Sequence, residues 1–275
     1  MPELPEVETI RRDLEARVLG RRITAVRIAP DTGKPVPVLK GIDEASFREG
    51  VVGALIEDVE RRGKYLALRL DTGSLLVVHL RMTGALLHRT ADTPPDRFLR
   101  ATLVFDDGTE LRFTDIRKFG GLWLAEDYAD VTTALGPEPL GEGFTVQTLV
   151  EALAGRKAPV KSIILDQRRI AGIGNIYADE ACFAAAIDPR RLGATITESE
   201  IEALHAGVRQ VLMFGVESRG ASFRDYQDAE GKSGSMQMFV KVFRRTGKPC
   251  YACETPIERV KVGGRSTHFC PQCQH

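Results

Sequence analysis

The sequence predicts an α+β protein with two domains: an N-terminal helix with a β-sandwich, followed by a helical region that ends in a metal-binding finger. Three observations predict this fold class. One amphipathic stripe lies near the N-terminus, a series of short β-rich runs follows it, and two CxxC pairs lie at the C-terminus. The chain has 275 residues, 43% of them hydrophobic, which can bury a sizeable core and is typical of about two domains.

The first predicted element is a helix over residues 5–19. Four apolar residues at spacings of three and four form one stripe: Val7, Ile10, Leu14 and Val18. Gly20 supplies a C-terminal stop signal. Such a helix would hold the N-terminus against a core, and a docked terminus can be catalytic whereas a mobile one cannot.

Residues 22–124 are predicted to form the strands of a β-sandwich or barrel. The β-rich runs are 23–28, 51–59, 64–70, 75–80, 99–105, 111–113 and 122–124. Turn signals separate some of them, at Asp71–Gly73 and at Asp106–Gly108. Residues 29–41 and 89–97, rich in Pro, Gly, Thr and Asp, are predicted loops.

A domain boundary is predicted at Leu135–Gly143, where glycine and proline suit neither helix nor strand. Helical runs follow it at 146–153, 160–165, 176–186 and 201–216, the last preceded by a capping box at 197–200. The predicted division is a first domain over 1–135, a linker over 136–144, a helical domain over 145–240 and a finger over 241–275.

Charge is balanced overall and uneven locally. With 38 basic and 38 acidic residues the net charge is zero, so the overall charge does not by itself point to a polyanionic partner. Residues 241–275, however, hold seven basic and two acidic side chains, which is typical of a phosphate-binding region or of a solvated face. A signal peptide and an apolar run of about 18 residues are both lacking, so we expect a cytoplasmic protein without a membrane span.

Four cysteines predict a structural zinc site. They form two CxxC pairs separated by sixteen residues: Cys250, Cys253, Cys270 and Cys273. Sulfur at all four positions leaves no open coordination site, so the metal would hold shape. The alternative is a reactive dithiol or a disulfide pair. Between the pairs, Gly263-Gly264 indicates a tight turn in a basic hairpin, and His268 and His275 are expected on the surface.

The N-terminus is a candidate nucleophile. If Met1 is removed, Pro2 becomes a secondary amine with Glu3 and Glu6 close in sequence. An α-amino group has a pKa of about 8, so a useful fraction is unprotonated near neutrality and can form a Schiff base. Pro-Glu at an N-terminus is more often the first turn of a helix, and the residues alone leave both interpretations open.

A second candidate site is a glycine-containing turn. Gly172 and Gly174 allow close approach of the backbone to a ligand, and Asn175 is a suitable N-cap for the next helix. Backbone N–H groups at such a terminus can bind an anion. A plain helix-to-helix turn has the same pattern, and this alternative stays open.

Six motifs connect these regions. In chain order they are Met1–Glu8, Arg62–Tyr65, His79–Gly84, Asp115–Gly120, Gly172–Tyr177 and Arg265–Cys273. Together they resemble the signatures of bacterial formamidopyrimidine-DNA glycosylase (Fpg or MutM), within the Fpg/Nei family. The resemblance implies a bifunctional enzyme that excises oxidised purines, 8-oxoguanine and formamidopyrimidines, and then cleaves the strand by β,δ-elimination.

The resemblance also implies the fold and the partners. Residues 145–240 would be a helix-two-turn-helix DNA-binding domain, and the finger would hold one structural Zn²⁺, with no organic cofactor. The partner would be damaged double-stranded DNA. The protein would be a monomer in the bacterial cytoplasm, associated with the nucleoid when it acts.

The resemblance assigns catalysis mainly to the N-terminus. Pro2 would attack C1′ of the damaged nucleotide through its amine, and Glu3 would be the acid/base that assists opening of the sugar ring. Lys64 would contact a phosphate near the lesion and aid catalysis. Glu6 would be a supporting carboxylate, or only an acid that favours the helix N-terminus.

The implied DNA contacts are of two kinds. Because the target base is unreachable inside a duplex, the enzyme must flip it out and fill the gap. The gap would be filled by Met82, Arg117 and Phe119, with Arg117 bonding the orphaned cytosine. The backbone contacts would come from His79, Asn175 and Arg265.

Three positions depart from the family pattern. Arg81 stands where relatives often have Gly, and Phe243-Arg244 stands where many have Tyr-Gly, which puts a tyrosine hydroxyl contact to DNA in doubt. Residues 218–237, rich in Gly, Ser and Asp, fall where the family carries a mobile lesion-recognition loop.

Other functions remain as alternatives. Endonuclease VIII (Nei) has the same fold and prefers oxidised pyrimidines. Leu4 and the Arg117–Phe119 motif favour Fpg over Nei. A non-catalytic, zinc-stabilised DNA-binding protein would leave Pro2, Glu3 and Lys64 without a purpose. A zinc-ribbon adaptor for proteins would explain the cysteines alone.

Overall fold

The computed structural model describes residues 1–30, 37–132 and 135–275. Part of the predicted loop over 29–41 therefore lies outside the described residues. The chain forms two compact units, Met1–Thr133 with Ser218–Ser235, and Ala134–Glu217 with Met236–His275. No helix of the described residues is long and apolar enough to cross a membrane.

The first unit begins with the predicted helix, α1, which spans Leu4–Val18. Its predicted apolar stripe is buried. Glu3 is the N-cap, and it forms a capping box with Glu6, whose Oε2 accepts the Glu3 N–H at 2.7 Å. The first turn therefore fixes the backbone next to Pro2.

The β-sandwich is confirmed as two antiparallel four-stranded sheets. The strands are Ile23–Ile28 (β1), Ile56–Arg62 (β2), Tyr65–Leu70 (β3), Leu75–His79 (β4), Gly84–Thr90 (β5), Leu99–Phe105 (β6), Thr109–Asp115 (β7) and Gly121–Ala125 (β8). Their orders are β1-β6-β7-β5 and β2-β3-β4-β8. Apolar residues of both sheets and of α1 share one buried core, as expected when sheets pack face to face.

Two elements of this unit differ from the prediction. The predicted run over 51–59 is the end of a helix, α2 (Glu44–Val51), followed by β2. Asp43 starts α2 by accepting the N–H of Ser46 at 2.9 Å, a short-range signal that the apolar pattern did not show. Strand β5 was also missed, and the predicted loop over 89–97 begins inside it.

The second unit contains four α-helices within the described residues: α3 (Val146–Leu153), α4 (Val160–Ile164), α5 (Asn175–Ala184) and α6 (Glu198–Glu217). The predicted capping box of α6 is present, because Glu200 accepts the Thr197 N–H at 2.8 Å and its own N–H points to Thr197 Oγ1 at 3.4 Å. A hairpin follows, with β9 (Glu258–Val262) and β10 (Arg265–Phe269).

The predicted linker packs within this second unit. Gly136 N–H donates to Gln167 O at 2.9 Å, and Arg209 donates to Pro139 O at 3.1 Å. Backbone groups that glycine and proline leave outside helices and strands are thus satisfied by tertiary contacts.

Two adjacent carboxylates of α5 fix the segments around the finger. Glu180 accepts the N–H groups of three consecutive residues at 2.7–3.0 Å: Lys241, Val242 and Phe243. Asp179 pairs with Lys161 at 2.6 Å and accepts the His268 N–H at 2.9 Å. All these carboxylates are buried, so the polar contacts are needed to offset desolvation.

The prediction that His268 lies on the surface is wrong. His268 is 4% exposed, because its ring Nδ1 lies 3.1 Å from Asp179 and its ring packs edge-on against Phe243. His275 is exposed, as predicted.

Candidate active site and nucleic-acid interface

The N-terminal residues form the first part of the candidate site. Met1 is 50% exposed, whereas Pro2 and Glu3 are buried. Glu6 is 1% exposed and accepts two N–H groups, from Glu3 at 2.7 Å and from Ala221 at 2.7 Å. If Met1 is removed, the Pro2 amine becomes the N-terminus directly before Glu3, the residue whose N–H is held by Glu6.

Ser218–Ser235 belongs to the same unit as this helix end. Chain order predicted a loop over 218–237 inside the second domain. The segment lacks helix and strand up to Ser235, and a 3-10 helix begins at Met236. The segment packs with the first unit because Glu6 bonds Ala221, and because the Tyr226 hydroxyl donates to Glu6 O at 3.3 Å. These contacts span more than 200 residues, so no local pattern indicates them.

Lys64 and His79 lie at the ends of neighbouring strands. Lys64 is 8% exposed and lies in the two-residue turn before β3, one position before the strand in which it was predicted. His79 ends β4 and faces Tyr65 across the sheet, with ring centroids 4.5 Å apart. Both residues therefore lie at the same end of the sheet, where β3 begins and β4 ends.

His79 is a neutral hydrogen-bond donor. Burial, with the nearby charges of Arg81 and Lys64, lowers its pKa from 6.5 to about 3. The Arg81 N–H donates to Nδ1 at 3.0 Å, so the ring proton lies on Nε2. An Nε2–H donor suits a phosphate oxygen. Arg81 adopts a φ of 53°, the left-handed region that favours the glycine common at this position.

The structure brings Met82, Arg117 and Phe119 together. The Arg117 guanidinium lies 3.2 Å from Met82 Sδ and 4.7 Å above the Phe119 ring. Phe119 is 47% exposed. An exposed aromatic ring beside a thioether and a cation is suited to entering a base stack, where apolar side chains act as wedges.

Asp115 and Thr83 support this trio. Asp115 accepts the Thr83 hydroxyl at 2.5 Å and the Gly120 N–H at 2.7 Å. Arg117 N–H also donates to Thr83 Oγ1 at 3.1 Å. The two loops that carry the trio are therefore joined by side-chain bonds and not only by strand pairing.

The four cysteines fit a tetrahedral metal centre. Their Sγ atoms all lie within 4.8 Å of one another. The Sγ–Sγ distances are 3.9 Å for Cys250–Cys273, 3.4 Å for Cys253–Cys270 and 3.3 Å for Cys253–Cys273. Zinc–sulfur bonds of about 2.3 Å in a tetrahedron require sulfur separations of about 3.8 Å. The N–H groups of Ala252 and Cys273 point at Cys250 Sγ and Cys270 Sγ. This donor set suits one structural Zn²⁺.

The hairpin between the cysteines carries Arg265. Gly263 and Gly264 have φ of 54° and 78°, so they form the predicted tight turn. Arg265 follows directly and is exposed. The hairpin therefore presents this guanidinium to solvent.

Asn175 lies beside a polar groove of about 440 Å³ in the second unit. The N-cap of α5 is Gly174, so the predicted capping role of Asn175 is wrong. Its Nδ2 donates instead to Ser266 O on β10, at 3.0 Å. The groove is lined by Asn175, Phe243, Arg244, Thr246, Arg259, Ser266 and His268, a set without a carboxylate. Such a lining favours an anionic ligand.

Several residues of the site were not found from the sequence. Asp179 and Glu180 stand inside the predicted anion-binding motif, and their signal would have been two acids at buried positions of an apolar helix. Arg244 adopts a φ of 57°, which no sequence pattern indicates for arginine.

Three family sequence models match the chain. The formamidopyrimidine-DNA glycosylase N-terminal domain matches residues 1–122, the formamidopyrimidine-DNA glycosylase H2TH domain matches 135–227, and the zinc finger found in FPG and IleRS matches 247–275. The helix-two-turn-helix region and the zinc finger predicted from the motifs are thus confirmed.

Whole-chain relatives agree with these matches. A formamidopyrimidine-DNA glycosylase of Symbiobacterium thermophilum is 48% identical over 100% of this chain and 89% of its own. The MutM (Fpg) protein of Thermus thermophilus has a TM-score of 0.87 at 40% identity, covering 99% of this chain and 98% of its own. A mutant Lactococcus lactis Fpg in complex with Fapy-dG-containing DNA has a TM-score of 0.91 at 34% identity, with both chains fully covered. The chain belongs to the formamidopyrimidine-DNA glycosylase family.

Proposed function

We propose that this chain is a bifunctional DNA glycosylase and AP lyase that excises oxidised purines, 8-oxoguanine and formamidopyrimidines, from duplex DNA. The observation that carries the proposal is the buried Pro2, directly before a helix whose Glu3 and Glu6 are both buried. A nucleophile needs such a fixed position to reach its target in a productive geometry.

The chemistry starts at the Pro2 amine after removal of Met1. The nitrogen lone pair forms a bond to C1′, the bond between C1′ and the base breaks, and the base leaves with a proton. Glu3 protonates the sugar ring oxygen as the ring opens, which gives an iminium ion at C1′. The iminium acidifies the C2′ proton, so the 3′ phosphate and then the 5′ phosphate are eliminated.

The remaining residues bind the DNA. Met82, Arg117 and Phe119 fill the space that the flipped nucleotide leaves, and Arg117 bonds the orphaned cytosine. Lys64 supplies a charge, and His79 a neutral N–H, to phosphates near the lesion.

The second unit adds its own phosphate contacts. Asn175 acts from the amino end of α5, and Arg265 acts from the hairpin shaped by zinc. We infer four functional parts: a catalytic domain (1–135), a linker (136–144), a helix-two-turn-helix domain (145–240) and a zinc finger (241–275). A cytoplasmic monomer that joins the nucleoid when it acts completes the proposal.

Excision assays on defined duplexes test this function. We expect release of 8-oxoguanine placed opposite cytosine, followed by a one-nucleotide gap with phosphate at both ends. Preference for a duplex with an oxidised pyrimidine would instead indicate endonuclease VIII activity. Tight binding without release of any base would indicate a non-catalytic DNA-binding protein.

A further inference from the structure

The segment Ser218–Ser235, named the closing loop here, is closed at its base. Ser235 donates its N–H at 2.9 Å and its hydroxyl at 3.1 Å to Ser218 O. Gly234 N–H donates to Ser222 Oγ at 3.0 Å. The loop has no helix or strand, so these bonds and its contacts to α1 hold its shape.

The first contact of the closing loop reaches the amino end of α1. Ala221 N–H donates to one Glu6 oxygen, and the other oxygen accepts the Glu3 N–H. Gly220 adopts a φ of 80°, and a Cβ there would lie 2.8 Å from Glu6 Cγ, so only glycine fits. Glu6 therefore joins the loop to the residue that follows Pro2.

The second contact is an ion-pair cluster around Arg219. Its Nη2 lies 2.7 Å from an Asp13 oxygen on α1 and 2.6 Å from an Asp228 oxygen within the loop. Asp228 is 1% exposed and also accepts the N–H groups of Glu230 and Lys232. The hydrogen bond to Asp228 raises the pKa of Arg219, so its charge is secure. Leaving a buried carboxylate such as Asp228 unpaired is costly.

The two contacts act along one face of the helix. Glu6 and Asp13 are seven residues apart, which is two turns or about 10 Å along the axis. Arg219 and Ala221 are only two residues apart in the closing loop. The long Arg219 side chain covers the remaining distance along the helix between Glu6 and Asp13. Arg219 has a φ of 57°, so this part of the loop needs compensating contacts to persist.

We propose that Arg219 is a positioning residue for the Pro2 nucleophile. It binds the closing loop to Asp13, which holds Ala221 against Glu6, and Glu6 in turn holds the backbone of Glu3. The proposal rests on the proposed function, because it concerns how fast the N-terminal amine reacts. It predicts that loss of Arg219 slows the reaction of the Pro2 amine whichever base the DNA carries.

The test compares Arg219→Gln with a matched control. Arg219→Gln removes the charge and keeps a long polar side chain. Arg17→Gln is the control, because Arg17 also joins α1 to the closing loop through Glu230, but from the last turn of the helix. Asp13→Asn is a second variant that leaves the buried Asp228 paired with Arg219.

The readout is single-turnover trapping by borohydride, with full-length protein that has a processed N-terminus. Two duplexes are used, one with 8-oxoguanine opposite cytosine and one with an abasic site, which has no base to recognise. We expect Arg219→Gln to slow trapping about tenfold on both duplexes, as 1.4 kcal/mol of lost positioning gives. Duplex Kd should change less than about twofold, and Arg219→Lys should recover most of the rate.

Three results would overturn the proposal. One is equal trapping rates for Arg219→Gln, Asp13→Asn and Arg17→Gln. Another is slowing on the 8-oxoguanine duplex alone, because the closing loop would then act on the base. The third is a change in the duplex Kd of Arg219→Gln without a change in its trapping rate. If the unsubstituted protein forms no adduct with either duplex, the proposed function itself fails, which is a separate outcome from equal rates.

Discussion

The amino end of α1 and the middle of α5 both hold distant segments through buried carboxylates, but they differ in the number of hydrogen bonds that do so. In α1, Glu6 accepts one N–H from its own N-cap residue and one from Ala221. In α5, Glu180 accepts three consecutive N–H groups, and its neighbour Asp179 pairs with Lys161. Both sites use buried carboxylates to bind segments that are distant in the chain.

We infer that the anchor at α5 is structural, whereas the anchor at the amino end of α1 supports catalysis. Six contacts through Asp179 and Glu180 hold the region around the finger, so we expect it to remain in place when one contact weakens. Next to Pro2, the Glu6 carboxylate is shared by two segments, because it accepts the N–H groups of both Glu3 and Ala221. We infer that substitutions near α5 change mainly stability and DNA binding, whereas substitutions near Glu6 change mainly the rate of chemistry.

The largest effect is expected from removal of zinc. A chelator should unfold the finger, because binding of structural zinc contributes on the order of 10 kcal/mol to folding. Unfolding would remove Arg265 and the polar groove beside Asn175 from the binding surface, which should raise the duplex Kd about 100-fold or more. Anisotropy with labelled abasic duplex measures this, and addition of zinc should restore binding. Unchanged Kd with an unfolded finger would contradict its role in DNA binding.

The variants Asp179→Asn and Glu6→Gln test the comparison of the two anchors most directly. Asp179→Asn removes the carboxylate charge opposite the fully buried Lys161, whose Nζ keeps the neutral acceptors Ser266 O and Thr267 Oγ1. The buried ammonium then lacks the compensating charge of Asp179, so the free energy of unfolding should fall by about 3–5 kcal/mol in urea titrations. Glu6→Gln should cost only about 1–3 kcal/mol, as expected for an impaired buried acceptor. Its trapping rate should nevertheless fall on the order of 100-fold, because small displacements of a nucleophile are costly.

The reverse pattern would refute the comparison. If Glu6→Gln traps DNA at the unsubstituted rate while Asp179→Asn slows chemistry in fully bound complexes, the anchors do not divide as inferred. A saturating concentration of duplex keeps both variants fully bound, so differences in Kd do not affect the measured trapping rate.

A smaller effect is expected at His79. Its folded pKa of about 3 lies below the unfolded value of 6.5, so only the unfolded state binds a proton between these values. Stability from this group is therefore complete above about pH 6.5 and decreases as pH falls towards 3, by up to about 1.4 kcal/mol per unit. His79→Gln should flatten this dependence in urea titrations between pH 5 and 6.5. An unchanged slope would show that His79 is protonated in the folded protein.

Sequence patterns predicted the elements whose signals are local. The α1 stripe, the Gly263-Gly264 turn and the CxxC pairs each depend on residues a few positions apart. The motif resemblance, in turn, indicated residues that propensity could not, such as Phe119, which would otherwise be expected in a core.

The features that were missed depend on distant contacts. His268 is buried because Asp179, 89 residues earlier, accepts its N–H. The closing loop packs with the first unit because Ala221 bonds Glu6 across 215 residues. Helix α2 was missed because it is short and buries only Phe47 and Val51, too few for an apolar period.

The central claim is that the nucleophile is the Pro2 amine and not a lysine such as Lys64, which can also form a Schiff base. The most direct measurement is a peptide map, by mass spectrometry, of the adduct trapped by borohydride on 8-oxoguanine duplex. We predict that the DNA remnant lies on a peptide that begins with Pro2 and lacks Met1. A remnant on Lys64, or on a peptide that retains Met1, would contradict the account.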